Sequence, residues 1–139
     1  MSDDLLVVKE QSYPILSDGD VVSARLGVRD WAREIGLTVL DLTKVVTAAS
    51  ELARNALIHG GGGTMCLQVV RYGDRSGLRA TFSDRGPGIP EVDLAMQDGY
   101  TSGSGMGIGL PGAKRLVNEF ALATTPGGGT SVTILRWQR

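Results

Sequence analysis

Asp84-Arg85-Gly86-Pro87-Gly88-Ile89-Pro90, answered a few residues later by Gly103-Ser104-Gly105-Met106-Gly107-Ile108-Gly109-Leu110-Pro111, decides how this chain is read. The first segment closes a strand-like run on an acidic residue and turns on two glycines. The second is a glycine-dense loop that leads into a helix. Glycine holds no side chain against an approaching ligand, so backbone N–H groups can come close to it. A helix that starts where such a loop ends also presents free N–H groups and a partial positive charge. A phosphate chain suits that geometry, although loops of this composition also serve as ordinary turns.

In Leu78-Arg79-Ala80-Thr81-Phe82-Ser83-Asp84, the two-residue period of a strand puts Leu78, Ala80, Phe82 and Asp84 on one face. Asp84 ends the row that points into the core, where a carboxylate is costly unless something donates to it. Two readings follow. Either Asp84 bonds the backbone of the glycine turn that follows, or it is an acceptor for a ligand amine.

The whole chain has 139 residues, enough for one domain with a real core. Its 42% hydrophobic and 21% charged residues are those of a soluble globular protein. Glycine, at 20 residues, is roughly twice the usual share, and it gathers at 60–63, 103–112 and 127–129, which marks loops. A net charge of −1 without a basic run disfavours a nucleic-acid partner. The single Cys66 can form no internal disulfide and reads as a small core residue before a nucleophile. Neither a signal peptide nor a membrane span is visible, so a cytoplasmic location without membrane partners is expected.

Leu5–Val8 followed by Lys9–Ser12 reads as a first strand. Ser17-Asp18-Gly19-Asp20 offers caps for a helix ending near Ile35, with Gly36 as its stop. Thr38 opens a second helix to about Ile58, whose Leu42, Val45, Val46, Ala49, Leu52, Ala53 and Ala56 form a core stripe. Thr64–Tyr72 and Leu78–Asp84 read as strands around the turn Gly73–Gly77. A short helix over Glu91–Gln97 and a loose segment over Asp98–Ser104 follow. A helix is expected from about Gly107 to Phe120, then a hairpin of Ala121–Thr125 and Thr130–Trp137. Without regular βαβ alternation, the fold class is α+β. The architecture is a two-layer sandwich, a mixed and mostly antiparallel sheet with helices on one face.

Beside the stripe of the second helix runs a polar row, Thr47, Glu51, Asn55 and His59, each one turn after the last. Glu51 and Asn55 at this spacing are either surface residues or a general-base and hard-cation pair. His59 reads first as a helix-end cap, and Met65, Met96 and Met106 as packing residues. Arg54 reads as a surface or interface charge. The chain has no Gly-x-x-x-x-Gly-Lys-Ser/Thr phosphate loop and no dinucleotide fingerprint. It also lacks the His-Arg-Asp and Asp-Phe-Gly elements of eukaryotic-type kinases. Instead, Glu51-x-x-x-Asn55, Asp84-x-Gly86-x-Gly88, Gly105-x-Gly107-x-Gly109-Leu110 and Gly129-Thr130 occur in a fixed order on helix, strand end, loop and strand.

This set resembles the GHKL superfamily of gyrase-type and chaperone ATPases, histidine kinases and anti-sigma-factor serine kinases, over nearly the whole of 1–139. The Bergerat ATP-binding fold is what that resemblance implies. The size, with Ser50-Glu51-Leu52-Ala53-Arg54-Asn55 and Gly107–Leu116, looks most like the stressosome switch kinases, whereas Ile58-His59-Gly60 looks more like the anti-sigma branch. The resemblance implies ATP and Mg2+ as cofactors, with Asn55 as metal ligand and Glu51 as catalytic base. Asp84 would accept from the adenine amine, with Gly86 and Gly88 against the base and Thr130 in support. The loop Gly103, Ser104, Gly105, Met106, Gly107, Ile108, Gly109 and Leu110 would wrap the phosphates, and Thr101, Ser102 and Ser104 are candidates for the γ-phosphate. It implies STAS-domain substrates and a downstream effector such as a metal-dependent protein phosphatase. The rivals are an anti-sigma factor with serine kinase activity and a non-catalytic, nucleotide-gated interaction module.

Overall fold

The computed structural model describes residues 5–86, 88, 96, 109–125 and 127–139. In chain order these form β1 (Leu5–Ile15), α1 (Asp18–Glu34), α2 (Val39–Ile58), β2 (Gly63–Tyr72), β3 (Arg75–Asp84), α3 (Gly109–Arg115), β4 (Glu119–Thr125) and β5 (Gly129–Trp137). The strands make one sheet in the order β1-β2-β3-β5-β4. Among the described residues every pairing is antiparallel, so the α+β sandwich stands without the mixed character expected of its sheet.

The helix ends form where their capping chemistry places them. The Ser17 hydroxyl accepts from the Asp20 N–H at 3.1 Å, and the Thr38 hydroxyl from the Asp41 N–H at 3.1 Å. Gly36, at φ +84°, closes α1 in a left-handed turn, with the Leu37 N–H reaching back to the Ala32 carbonyl at 3.0 Å. The core lies between the helices and one sheet face. It joins Val28 and Trp31 of α1 and Val45, Ala49, Leu52 and Ala56 of α2 to Met65, Leu67, Leu78, Phe82, Val132 and Ile134 of the sheet. Gly27 lets α1 come down on the Tyr13 ring, which occupies the place of a Cβ there. On the opposite face Gln68 donates to Glu10 at 2.7 Å and Arg79 to Gln68 at 2.8 Å, a polar ladder across three strands. Cys66 pairs with Thr81 in the next row of this face, outside the core expected for it, and burial pushes its thiol pKa up.

Three boundaries differ from expectation. β1 runs on to Ile15, because its register with β2 continues to Gly63. β3 begins at Arg75, since Tyr72 pairs with Arg75 around a two-residue turn with Gly73 at φ +62°. The third helix ends at Arg115 and Phe120 belongs to β4. There Asn118 donates its N–H to the Leu135 carbonyl at 2.9 Å and accepts the Trp137 N–H at 2.7 Å, which turns the chain into the sheet. The helix expected over 91–97 and the loose segment over 98–104 lie outside the described residues, apart from Met96, which packs against the core.

One buried charge cluster ties these elements together. Asp41, 0% exposed in the first turn of α2, accepts from Arg136 at 2.6 Å and from Arg139 at 2.7 and 2.9 Å. The Arg139 hydrogen bonds, and then Arg136, hold its carboxyl at about 2, below its ordinary 3.8, against the burial that works the other way. Folding therefore disfavours the proton. The stabilisation is complete above the unfolded pKa and disappears as pH falls through the folded one. Urea unfolding of wild type and Asp41→Asn should accordingly show a stability gap that is constant near neutrality. The gap should close as pH falls from about 4 to about 2.

Candidate functional site

α2 carries the first half of the site because its stripe turns one flank toward the start of α3. Of the polar row, Thr47 and His59 stay exposed, Asn55 is half-buried and Glu51 is only 7% exposed. Among the described residues the two Glu51 oxygens have different partners. Oε1 accepts from Arg54 Nη1 at 3.3 Å, and Oε2 accepts from the Gly109 N–H at 3.3 Å. Both distances exceed the 2.7–2.9 Å usual for charge-assisted bonds. A carboxylate enclosed but loosely bonded keeps lone pairs for a proton, as a general base requires.

Asp84 carries the second half. It is half-buried at the end of the row formed by Leu78, Ala80 and Phe82, all three in the core. Its Oδ1 accepts from the Gly86 N–H at 2.9 Å and from the Thr130 N–H at 3.3 Å, so the turn reading describes this oxygen. Three chain segments pass each other here at backbone distance. A Cβ on Gly60 would fall on the Asp84 carboxylate, one on Gly86 would sit 2.7 Å from Gly60 Cα, and one on Gly129 would overlap the Asp84 carbonyl. Gly129 also has φ +95°, which other residues rarely adopt. Thr130 and Thr124 share a hydroxyl contact at 3.1 Å beside this cradle, and Gly88, at φ +78°, packs on the Thr125 carbonyl.

Gly109 opens α3 at φ +68°, with Pro111 in the first turn, where a missing N–H costs nothing. The Leu110 side chain is buried in the core, which leaves its backbone as the part able to meet a ligand. Thr101, Ser102, Gly103, Ser104, Gly105, Met106, Gly107 and Ile108 lie outside the described residues. The structure thus brings Glu51 to Gly109, and Asp84 to Gly86 and Thr130. Sequence reasoning missed the Arg54–Glu51 pair and the part of Gly60 in the Asp84 cradle. The three-residue spacing of Glu51 and Arg54 was the signal for the first.

Among the described residues no cluster of three or more His, Cys, Asp or Glu could hold a metal. The Asn55 amide oxygen, one turn from Glu51, fits an ion that keeps waters and takes its other ligands from phosphates, as Mg2+ does. A carboxylate in a glycine cradle likewise fits a flat ring bearing an amine.

Residues 40–139 match the family described as histidine kinase-, DNA gyrase B-, and HSP90-like ATPase. The chain belongs to that family. Over 125 residues it is 39% identical to the serine/threonine-protein kinase RsbT of Bacillus subtilis (strain 168), covering 90% of this chain and 94% of RsbT. It is 32% identical to an anti-sigma F factor of Pasteuria penetrans, covering 81% of this chain and 79% of that protein. In three dimensions it superposes with TM-score 0.65 and 25% identity on a crystal structure of the RsbU and RsbW domains of Rv1364c from Mycobacterium tuberculosis, covering 95% of this chain and 33% of that one. The GHKL fold expected from the motifs is therefore the observed one, and the expected enzyme class agrees with the name of the relative that is 39% identical. Among the described residues no helix is long and apolar enough to cross a membrane.

Proposed function

We propose that this GHKL protein is an ATP- and Mg2+-dependent protein serine/threonine kinase. In this reading it acts in the cytoplasm on STAS-domain proteins of a stressosome. Phosphorylation weakens its hold on them and frees it for a downstream effector such as a metal-dependent protein phosphatase. The observation that carries the reading is the enclosed Glu51 carboxylate, facing the first N–H of α3, in a chain 39% identical to RsbT.

Bound ATP with its Mg2+ would supply the phosphoryl group and neutralise its charge. Asn55 would hold the ion through its amide oxygen. Asp84 would accept the adenine amine on its second oxygen while Oδ1 stays on Gly86 and Thr130. The N–H groups from Gly105 to Gly109 would meet the phosphates. Glu51 would take the proton of the substrate hydroxyl as that oxygen bonds the γ-phosphorus and the bond from that phosphorus to the β–γ bridging oxygen breaks, with ADP leaving.

Transfer of labelled phosphate from ATP to STAS-domain proteins tests the reading, and no labelling of any STAS protein in the presence of Mg2+ overturns it. The 32% identity to an anti-sigma F factor favours sequestration of a sigma factor as the second reading. Recovery of a sigma factor instead of STAS partners on co-purification would select it. Asp84→Asn keeps an oxygen for Gly86 but turns an amide NH2, a donor, toward the adenine amine. It should weaken ATP binding by about 1.5–3 kcal/mol, the worth of a hydrogen bond to a charged group. Calorimetry at wild-type affinity would return Asp84 to a turn residue only. Asn55→Ala should erase most of the gain in ATP affinity that Mg2+ confers, read by titrations with and without the ion.

A further inference from the structure

We propose that Arg54 is a positioning residue that holds the Glu51 carboxylate by one oxygen and aims the other at the phosphate side; this rests on Glu51 being the base. An arginine on the outer flank of a helix is ordinarily a solvated charge. The Arg54 side chain is 45% exposed, yet it folds back over one turn and places Nη1 on an oxygen of Glu51, whose side chain is 8% exposed. The contact is single and long, at 3.3 Å, so the guanidinium steers Oε1 and leaves Oε2 untouched. Oε2 is left to the Gly109 N–H.

The two partners differ in kind. Arg54 rides on the same helix as Glu51 and keeps its place whatever the neighbouring elements do. The Gly109 N–H belongs to α3, at the end of the glycine-rich loop, and is a group for which a phosphate oxygen competes. When phosphate takes that N–H, Oε2 loses its donor and becomes the oxygen free to accept the hydroxyl proton, while Arg54 still fixes Oε1. Without Arg54 the carboxylate is free to rotate about its terminal torsion, which is broad and roughly two-fold, and the base is no longer aimed. Asp41, on the same helix, shows the opposite arrangement: both of its oxygens are taken by arginines at 2.6–2.9 Å, which suits a fastening and not a proton acceptor.

The test is steady-state phosphotransfer to a STAS-domain protein by Arg54→Ala and Arg54→Lys, each alone and combined with Glu51→Gln. Misplacement of a reacting group by about 1 Å can cost on the order of a hundredfold. Arg54→Ala should therefore lower kcat about tenfold to a hundredfold, with the KM for ATP and for the protein substrate within about twofold. Arg54→Lys should recover most of that loss, because an ammonium can still hold Oε1. Arg54→Ala should add nothing in the Glu51→Gln background, since it acts through Glu51. An unchanged kcat, a rise confined to the KM for the protein, a loss that lysine does not recover, or a further loss in the Glu51→Gln background each overturns the proposal. Near wild-type transfer by Glu51→Gln alone would sink the base assignment itself, a result separate from any behaviour of Arg54.

Discussion

Glu51→Gln should lose about 10²–10⁴-fold in phosphotransfer rate, the usual worth of a general base, or roughly 3–5 kcal/mol of barrier. Glutamine keeps the length of the side chain and one oxygen for Arg54. What it lacks is a second oxygen able to take a proton. Its amide NH2 would also face the Gly109 N–H, donor against donor, where the carboxylate now accepts at 3.3 Å. That end of α3 is then open to phosphate, and a negative charge near the phosphates is gone. ATP affinity by calorimetry should consequently hold or rise while transfer collapses. The split between the two readouts separates chemistry from binding. Transfer at near wild-type rate would mean that the base lies elsewhere or that positioning alone drives the reaction.

The helices and the central strands were legible because local and tertiary preferences agree there. Ser17, Thr38 and Gly36 stand where capping chemistry needs them, and the alternation of Leu78, Ala80 and Phe82 matches their burial. The boundaries that were not legible are those decided at a distance. Leu116-Val117-Asn118-Glu119-Phe120 continues the helical spacing well enough, but Asn118 bonds strand β5 and Arg136 donates to the Leu116 carbonyl at 3.2 Å. Both partners are more than fifteen residues away, and no local pattern announces them. β1 is an edge strand exposed over most of its length, so its extent follows from pairing with β2 and not from an apolar alternation of its own.

For the candidate site, residue types and spacing singled out Glu51, Asn55 and Asp84 as candidates, but not how each is enclosed. The burial of Glu51 depends on α3 arriving beside it, and the enclosure of Asp84 depends on Gly60, Gly86 and Gly129 meeting around it. Gly60 read from the sequence only as part of a glycine loop. In space its missing Cβ is what admits the Asp84 carboxylate. Asp41 drew no notice at all, since an acidic residue in the first turn of a helix is ordinary dipole chemistry.

Asp41→Ala should be the most destabilising of these substitutions. Asp41 is fully buried and Arg136 beside it is 7% exposed, so the alanine leaves that cation without its counter-charge. Removing one partner of a buried pair typically costs about 3–5 kcal/mol, a large share of the ~5–15 kcal/mol that holds a domain folded. The damage should be concentrated because Arg136 also bonds Leu116 just beyond α3, and its Nε already has no partner among the described residues. Arg139 comes first in lowering the Asp41 pKa, yet its side chain is 64% exposed and water screens it, so Arg139→Ala should destabilise far less than Asp41→Ala. Arg136→Met alone strands Asp41, yet Asp41→Leu together with Arg136→Met removes both charges and should recover much of the loss. Urea unfolding of the four variants measures this, with the m-value unchanged if the native state keeps its compactness. If Asp41→Ala unfolds within about 0.5 kcal/mol of wild type, as a surface substitution does, the pair is not buried in solution and the link between the start of α2 and the end of β5 is not a fastening.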